Sequence, residues 1–214
     1  DWVRKTSKNS RYTAIYSKYF EKSKYFESEG FKKIPSYSRI SSYDDYFKKY
    51  ANILGWDWRW LAAIAYKESK FDPTAVSWAG ACGLMQLMPT TAISLGLTEE
   101  EFHDPELNIK ASAQYLNKMQ NLFPNIEDER EKINFILASY NAGPGHIFDA
   151  RALTVKAGKD PNIWDNVKEY LRLKSDPEYY NDEVCKYGYC RGEEPINYVD
   201  VITTKYSEYV LWAK

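Results

Sequence analysis

The sequence predicts a mainly α globule, and three observations support that class. From Ser42 onward apolar residues recur at helical spacing, no stretch alternates apolar and polar residues as a half-buried strand would, and Pro, Gly and Asp stand at helix-terminus positions. The loops between the periodic segments are irregular and leave room for short β structure. With 214 residues and 44% hydrophobic content, the chain is large enough for one domain with a real core and an extension.

Residues 1–40 are rich in Tyr, Lys and Ser without sustained periodicity, and read as a linker or strap over a domain spanning 41–214. There, "SYDD" supplies a cap and an acidic first turn, Phe47, Tyr50, Ala51 and Leu54 form a stripe, and Gly55 can end the helix. Asp57 caps a second helix with Trp58, Leu61, Ala62 and Ala65 on one face, terminated by Asp72 and Pro73. Pro89 opens a third helix and Gly96 closes it. Asp104 caps a fourth with Pro105 in its first turn, directing Leu107, Ala111, Tyr115, Met119 and Leu122 inward. A fifth, from Glu129 to Tyr140, rests on Ile133, Ile136, Leu137 and Tyr140 until "NAGPG" stops it. A sixth spans His146 to Lys156 and a seventh Trp164 to Leu171; an irregular tyrosine-rich loop then precedes a last helix from Pro195.

Composition excludes several function classes. A formal charge of −1 with balanced signs leaves no electrostatic footprint for nucleic acid. No apolar run reaches the roughly 18 to 20 residues of a membrane span, and with no signal-peptide pattern after Asp1 the chain reads as a soluble, processed or excised piece. The two histidines do not pair with cysteines at metal-ligand spacing, so neither a metal site nor a cofactor is expected. Cys82 reads as a small packing residue. Cys185 and Cys190 bracket "CKYGYC", which a disulfide could close in an oxidising compartment for about 2 kcal/mol, or which holds two free thiols.

The chemistry centres on Glu68. It stands at i+3 from Ala65 and i+4 from Ile64, extending a buried stripe, and in the last turn of its helix. Desolvation and the negative end of the helix dipole both disfavour its ionised form, which is what a general acid near neutral pH requires; a solvated Glu at a frayed helix end is the bland alternative. The following loop, "SWAGACGLMQLMP", offers Ser77 and Gln86 as neutral hydrogen-bonding groups, Gly80 and Gly83 where the backbone bends or approaches a ligand, and Met85 and Met88 as apolar walls, one of them in the core. Such a mix suits a polar, uncharged polymer such as a glycan.

Three blocks, "ESKFDPTAVSWAGACGLMQLMPTTA", "ASYNAGPGHIFDAR" and "KYGYCRGEEPINYVDVI", in this order and spacing, resemble the soluble-lytic-transglycosylase family of murein-degrading enzymes, with a goose-lysozyme-like helical fold. With "SYDDYFKKYANILGWDWRWLAAIAYKES" the likeness covers residues 41 to 212 and is strongest to a membrane-bound branch in which a solute-binding-like domain precedes the catalytic one. The resemblance implies that Glu68 is the sole catalytic acid/base. It implies that Ser77, Gln86 and Met88 line central sugar subsites, that Tyr140 and Asn141 form the opposite wall, and that Glu194 and Tyr198 close the cleft from the last helix. It further implies murein glycan strands as substrate, a periplasmic and outer-membrane-associated setting, and regulation from an upstream domain.

A hydrolytic glycosidase generally needs two carboxylates, whereas a transglycosylase can use one, because a hydroxyl of the substrate sugar replaces water. A lysozyme-like hydrolase would draw its second carboxylate from Asp72, Asp149 or Glu193. A catalytically silent glycan-binding module would leave Glu68 exposed with no cleft beside it. His146, after "GPG", reads as structural.

Overall fold

The predicted stripe Phe47, Tyr50 and Ala51 is buried along α1, Asp44–Ala51, in the computed structural model, which describes residues 39–213. The strap expected over residues 1–40 thus lies, but for Arg39 and Ile40, outside the described residues. Asp44 contributes a buried carboxylate that accepts from Ser41 N and Oγ at 2.8 and 2.9 Å and from Ile40 N at 2.7 Å, fixing the chain as it enters the helix. Leu54 is buried beyond α1, and Gly55, at φ +68°, turns the chain toward α2.

α2, Arg59–Ser69, buries Trp60 through Ala65, the apolar face predicted for it together with its flanks. Removing Leu61 and Ile64 from water contributes about 1.5–3 kcal/mol each. The helix stops before the expected Asp72–Pro73 pair. Lys70 and Phe71 adopt left-handed φ of 57° and 68°, and Phe71 then packs against Tyr66 and Phe47, so tertiary contact rather than proline ends α2.

α3, Pro89–Ser94, is followed by a single 3-10 turn, Glu99–Glu101, and by α4, Pro105–Gln120, whose Asp104 cap accepts from Leu107 N at 2.8 Å. α4 buries Ile109, Ala111, Ala113, Leu116 and Met119, but Leu122 lies past its end and is exposed. α5, Glu129–Ala142, meets α6, Pro144–Lys156, at Gly143, where φ is +87°; α6 therefore begins two residues before His146. α7 is Trp164–Leu173, the tyrosine-rich loop contains the short α8, Pro177–Tyr180, and α9, Glu193–Trp212, starts ahead of Pro195.

α9 runs antiparallel to α2. Tyr198 meets Glu68 at one end, Tyr206 stacks on Trp60 at 3.8 Å between ring centres, and Ala213 O accepts from Arg59 at 2.6 Å at the other. α5 packs against α4, α6 and α9, α6 against α7, and α1 against α4. One large core runs between these helices; a smaller one gathers Leu87, Ala92, Phe102 and Ala111, with Tyr115 and Tyr140 packed against both. Among the described residues the minor β structure expected in the loops consists of two antiparallel bridges, Val76 to Cys82 and Cys82 to Leu87.

All three cysteines are free. The "CKYGYC" loop is held by a buried ion pair instead: Asp149 receives Lys174 Nζ, Lys186 N at 2.8 Å and Tyr187 N at 2.9 Å, while Cys190 N donates to Lys174 O.

Candidate active site

The end of α2 carries Glu68 to the junction of α2, α9 and the 75–88 loop. Its Oε1 accepts a 2.5 Å hydrogen bond from the hydroxyl of Tyr198, which is itself buried. Burial pushes the Glu68 carboxyl up to about 7; the Tyr198 hydrogen bond and, more weakly, the Lys67 charge pull the other way without overcoming it. The residue keeps part of its surface in solvent. A partly accessible carboxyl raised toward neutrality by burial meets the requirement for a general acid.

Around it the loop is held from three sides at one bend. Ser69 Oγ donates to Leu84 O at 2.7 Å, Tyr140 Oη to Met85 O at 2.8 Å, and Met85 N to Asn108 Oδ1 at 2.8 Å. Gly83 is required at this bend: φ is +79°, and a Cβ there would lie 2.4 Å from Phe102 O and 2.6 Å from Asn108 Nδ2. Met85 is fully buried and Met88 is 44% exposed, so Met85 is the methionine that belongs to the core.

Residues 45–163, more than half of the chain, match the sequence profile of the Transglycosylase SLT domain family. The chain belongs to that family. It is 41% identical over 200 residues to the membrane-bound lytic murein transglycosylase F of Desulfosudis oleivorans, covering 92% of this chain and 43% of that one. It is 48% identical over 156 residues to the same-named protein of Salmonella arizonae, covering 73% and 29%. Among solved structures it resembles the 70 kDa soluble lytic transglycosylase Slt70 of Escherichia coli, with a TM-score of 0.54 and 27% identity over 80% of this chain and 25% of that one. The chain thus spans less than half the length of these relatives. The family resemblance and the lysozyme-like helical class drawn from the sequence are both borne out.

In this SLT domain the expected site residues fall into two groups. Glu68, Tyr198, Tyr140 and the Gln86 bend form one connected cluster, for the Tyr140 hydroxyl senses the Glu68 charge while bonding Met85 O. Ser77, Met88, Asn141 and Glu194 lie at its margins. Ser77 Oγ closes a turn by accepting from Ala81 N, Asn141 and Met88 are exposed, and Glu194, one turn before Tyr198 on the same face of α9, pairs with Arg191 at 3.1 Å. Trp78, at the tip of the Ser77 turn, is fully exposed.

Gln86, expected to face a ligand, is half-buried and also binds its own loop. Its backbone takes φ +51°, and its Nε2 donates to Ala75 O and Gly83 O at 3.0 and 2.9 Å, so the amide nitrogen stitches the loop and only the amide oxygen is left for a ligand. The three rival carboxylates are committed elsewhere. Asp72 caps the Thr74 turn, Asp149 is filled by Lys174 and two backbone N–H groups, and Glu193 pairs with Arg172.

Sequence reasoning missed Asn108 and Ser112. Both are buried in α4; Asn108 bonds Met85 N, Phe102 O and Cys82 O, and Ser112 lies 3.4 Å from the Tyr140 hydroxyl. Their signal was present: two polar residues at i and i+4 inside a buried helical stripe. No cluster of His, Cys, Asp and Glu suited to a metal occurs among the described residues. Two surface depressions among the described residues lie away from Glu68, one lined by Asn134, Trp164, Asp200 and Thr203 and the other by Ser94, Gln114 and Lys118.

Proposed function

We propose that residues 41–214 form a murein lytic transglycosylase domain that cleaves the β-1,4 bond between N-acetylmuramic acid and N-acetylglucosamine and leaves 1,6-anhydro-N-acetylmuramic acid ends. The observation that carries this reading is the Glu68 carboxyl: raised to about 7, hydrogen bonded by one neutral phenol, with the other candidate carboxylates occupied by their own partners.

Protonated Glu68 donates to the leaving glycosidic oxygen as the bond to the anomeric carbon breaks. The resulting carboxylate, stabilised by the Tyr198 hydroxyl, takes the proton of the sixth-carbon hydroxyl of the same muramic acid as that oxygen attacks the anomeric carbon. Glu68 ends protonated, and no water is consumed. Gln86 Oε1, Met88 and Ser77 line the sugar subsites, Tyr140 and Asn141 form the facing wall, and Glu194 closes the rim one turn above Tyr198. The indole of Trp78, held in solvent on a rigid turn, suits stacking on a sugar face.

The names of the relatives support murein as substrate, and their greater length supports a longer parent protein, in which an upstream domain would regulate the cleft. Residues 1–40 would then be its trailing linker, and the setting a periplasmic, outer-membrane-associated one. Digestion of purified murein with this chain, followed by mass analysis of the muropeptides, tests the reading. Ends one water lighter than reducing ends and inert to borohydride are expected; predominantly reducible ends would replace it with a hydrolase.

A further inference from the structure

Three lysines converge beside the catalytic end of α2. Lys67 Nζ lies 5.9 Å from the centre of the Tyr198 ring whose hydroxyl holds Glu68, and Lys70 and Lys205 place Nζ 3.9 and 4.6 Å from the centre of the Tyr66 ring. Lys205 is paired with Glu208 at 2.6 Å, whereas among the described residues Lys67 and Lys70 take part in no ion pair with a carboxylate. Lys70 is exposed, and Lys67 is partly so. Lys67 lies in the last turn of α2 and Lys70 is the left-handed residue that caps it; around them stand the negative end of the helix dipole, the tyrosine faces and the Glu68 carboxyl, which feels the Lys67 charge. In a chain of formal charge −1 this concentration of positive charge does not follow from composition.

We infer that Lys67 and Lys70, backed by Lys205, form a subsite for carboxylates carried by the muramic acid substituent, so that the domain binds anionic strands in preference to neutral ones. The inference rests on the murein reading above and deepens it. Muramic acid differs from glucosamine by a lactyl ether that ends in a carboxyl, either free or amide-linked to a short peptide bearing carboxylates of its own. Either source places negative charge close to the sugar whose bond Glu68 cleaves. Lysine suits the task, since a compact ammonium on a flexible stem can follow a carboxylate of variable position where a rigid fork cannot.

Co-sedimentation with purified insoluble murein tests this apart from catalysis. One sample keeps its carboxylates, a second has them converted to neutral amides with carbodiimide and ammonia, and a third is stripped of peptides so that only lactyl carboxylates remain; its strands, freed of cross-links, are coupled to beads through their reducing ends, with an amidated portion beside them. The chain is expected to bind the intact material about fivefold more tightly than the amidated at low salt, a preference that shrinks as salt is added. Lys67→Gln/Lys70→Gln should erase the preference, and Lys67→Arg/Lys70→Arg should keep it. A preference retained on stripped strands assigns the lactyl carboxylate, and one lost there assigns the peptide. Equal binding of the unsubstituted chain to intact and amidated murein, or a preference surviving in the Gln pair, would overturn the inference. Charge-selective binding without cleavage would instead remove the transglycosylase reading and leave the lysine subsite standing.

Discussion

At Glu68 a buried helical face and a titrating carboxyl occupy the same position, and the conflict between them has two measurable consequences. The proton-donating form is lost as pH rises through about 7, so murein cleavage should fall along an alkaline limb centred there. Tyr198→Phe removes the hydrogen bond that favours the anion, and should move that limb to higher pH while lowering the rate, as a pH–rate profile will report. Stability responds in the same direction. The folded state holds the proton up to about 7, against an ordinary carboxyl value of 4.5 in the unfolded chain, so the cost of ionising a desolvated carboxyl is absent below about 4.5, grows between these values and is complete above 7. Roughly 3 kcal/mol is its upper limit, reduced by the solvent that reaches the residue. Glu68→Gln should therefore abolish cleavage and raise the melting temperature relative to the unsubstituted protein by more at pH 8 than at pH 5. A gap of the same size at both pH values would mean that Glu68 is not desolvated.

At the scale of elements, the loop from Ala75 to Met88 and helix α4 act as one unit. Asn108 spends its amide on Met85 N, Phe102 O and Cys82 O. Asn108→Ala leaves those buried groups unpaired, at a cost of about 3 kcal/mol, with murein cleavage falling in parallel because the bend beside Glu68 loosens; denaturant unfolding and activity at low denaturant check both. Gln86→Ala should cost about 1–2 kcal/mol, since two hydrogen bonds to loop carbonyls go with the amide, besides weakening any contact its oxygen makes with substrate. Unchanged stability in this variant would return Gln86 to a purely ligand-facing role.

For the whole molecule, the approach to α9 depends on a buried ion pair. Lys174 and Asp149 are both shielded from solvent, and Asp149 ties the Lys186–Tyr187 backbone ahead of the helix that delivers Tyr198. Burial alone would raise the Asp149 carboxyl, but Lys174 and the two backbone N–H groups hold it below its ordinary value. Its contribution to stability is thus present above the unfolded-state value near 4 and lost as pH falls below it. Lys174→Met leaves the charge without its cation and should cost about 3–5 kcal/mol by thermal unfolding at pH 7, with the deficit narrowing toward pH 3. The free thiols Cys185 and Cys190 predict that reductant leaves the melting temperature unchanged.

The sequence by itself determined the helices, their approximate limits and the conflict at Glu68, because apolar periodicity, caps and Gly or Pro stops act over a few residues. Glu68 was legible because a carboxylate continuing the Ile64–Ala65 stripe conflicts with its own surroundings whatever packs on them. Tertiary structure decided what depends on a partner distant in the chain. Met85 is buried and Met88 is not, because Asn108 and Tyr140 grip the backbone of the former. Leu122, a helical-stripe residue by spacing, is exposed because α4 ends before it. Gln86 turns its nitrogen into the loop because two carbonyls of that loop face it, and the Cys185–Cys190 loop remains unbridged while a lysine and an aspartate from other helices hold it. Periodicity records which face of a helix is buried; it carries no record of which distant group buries it.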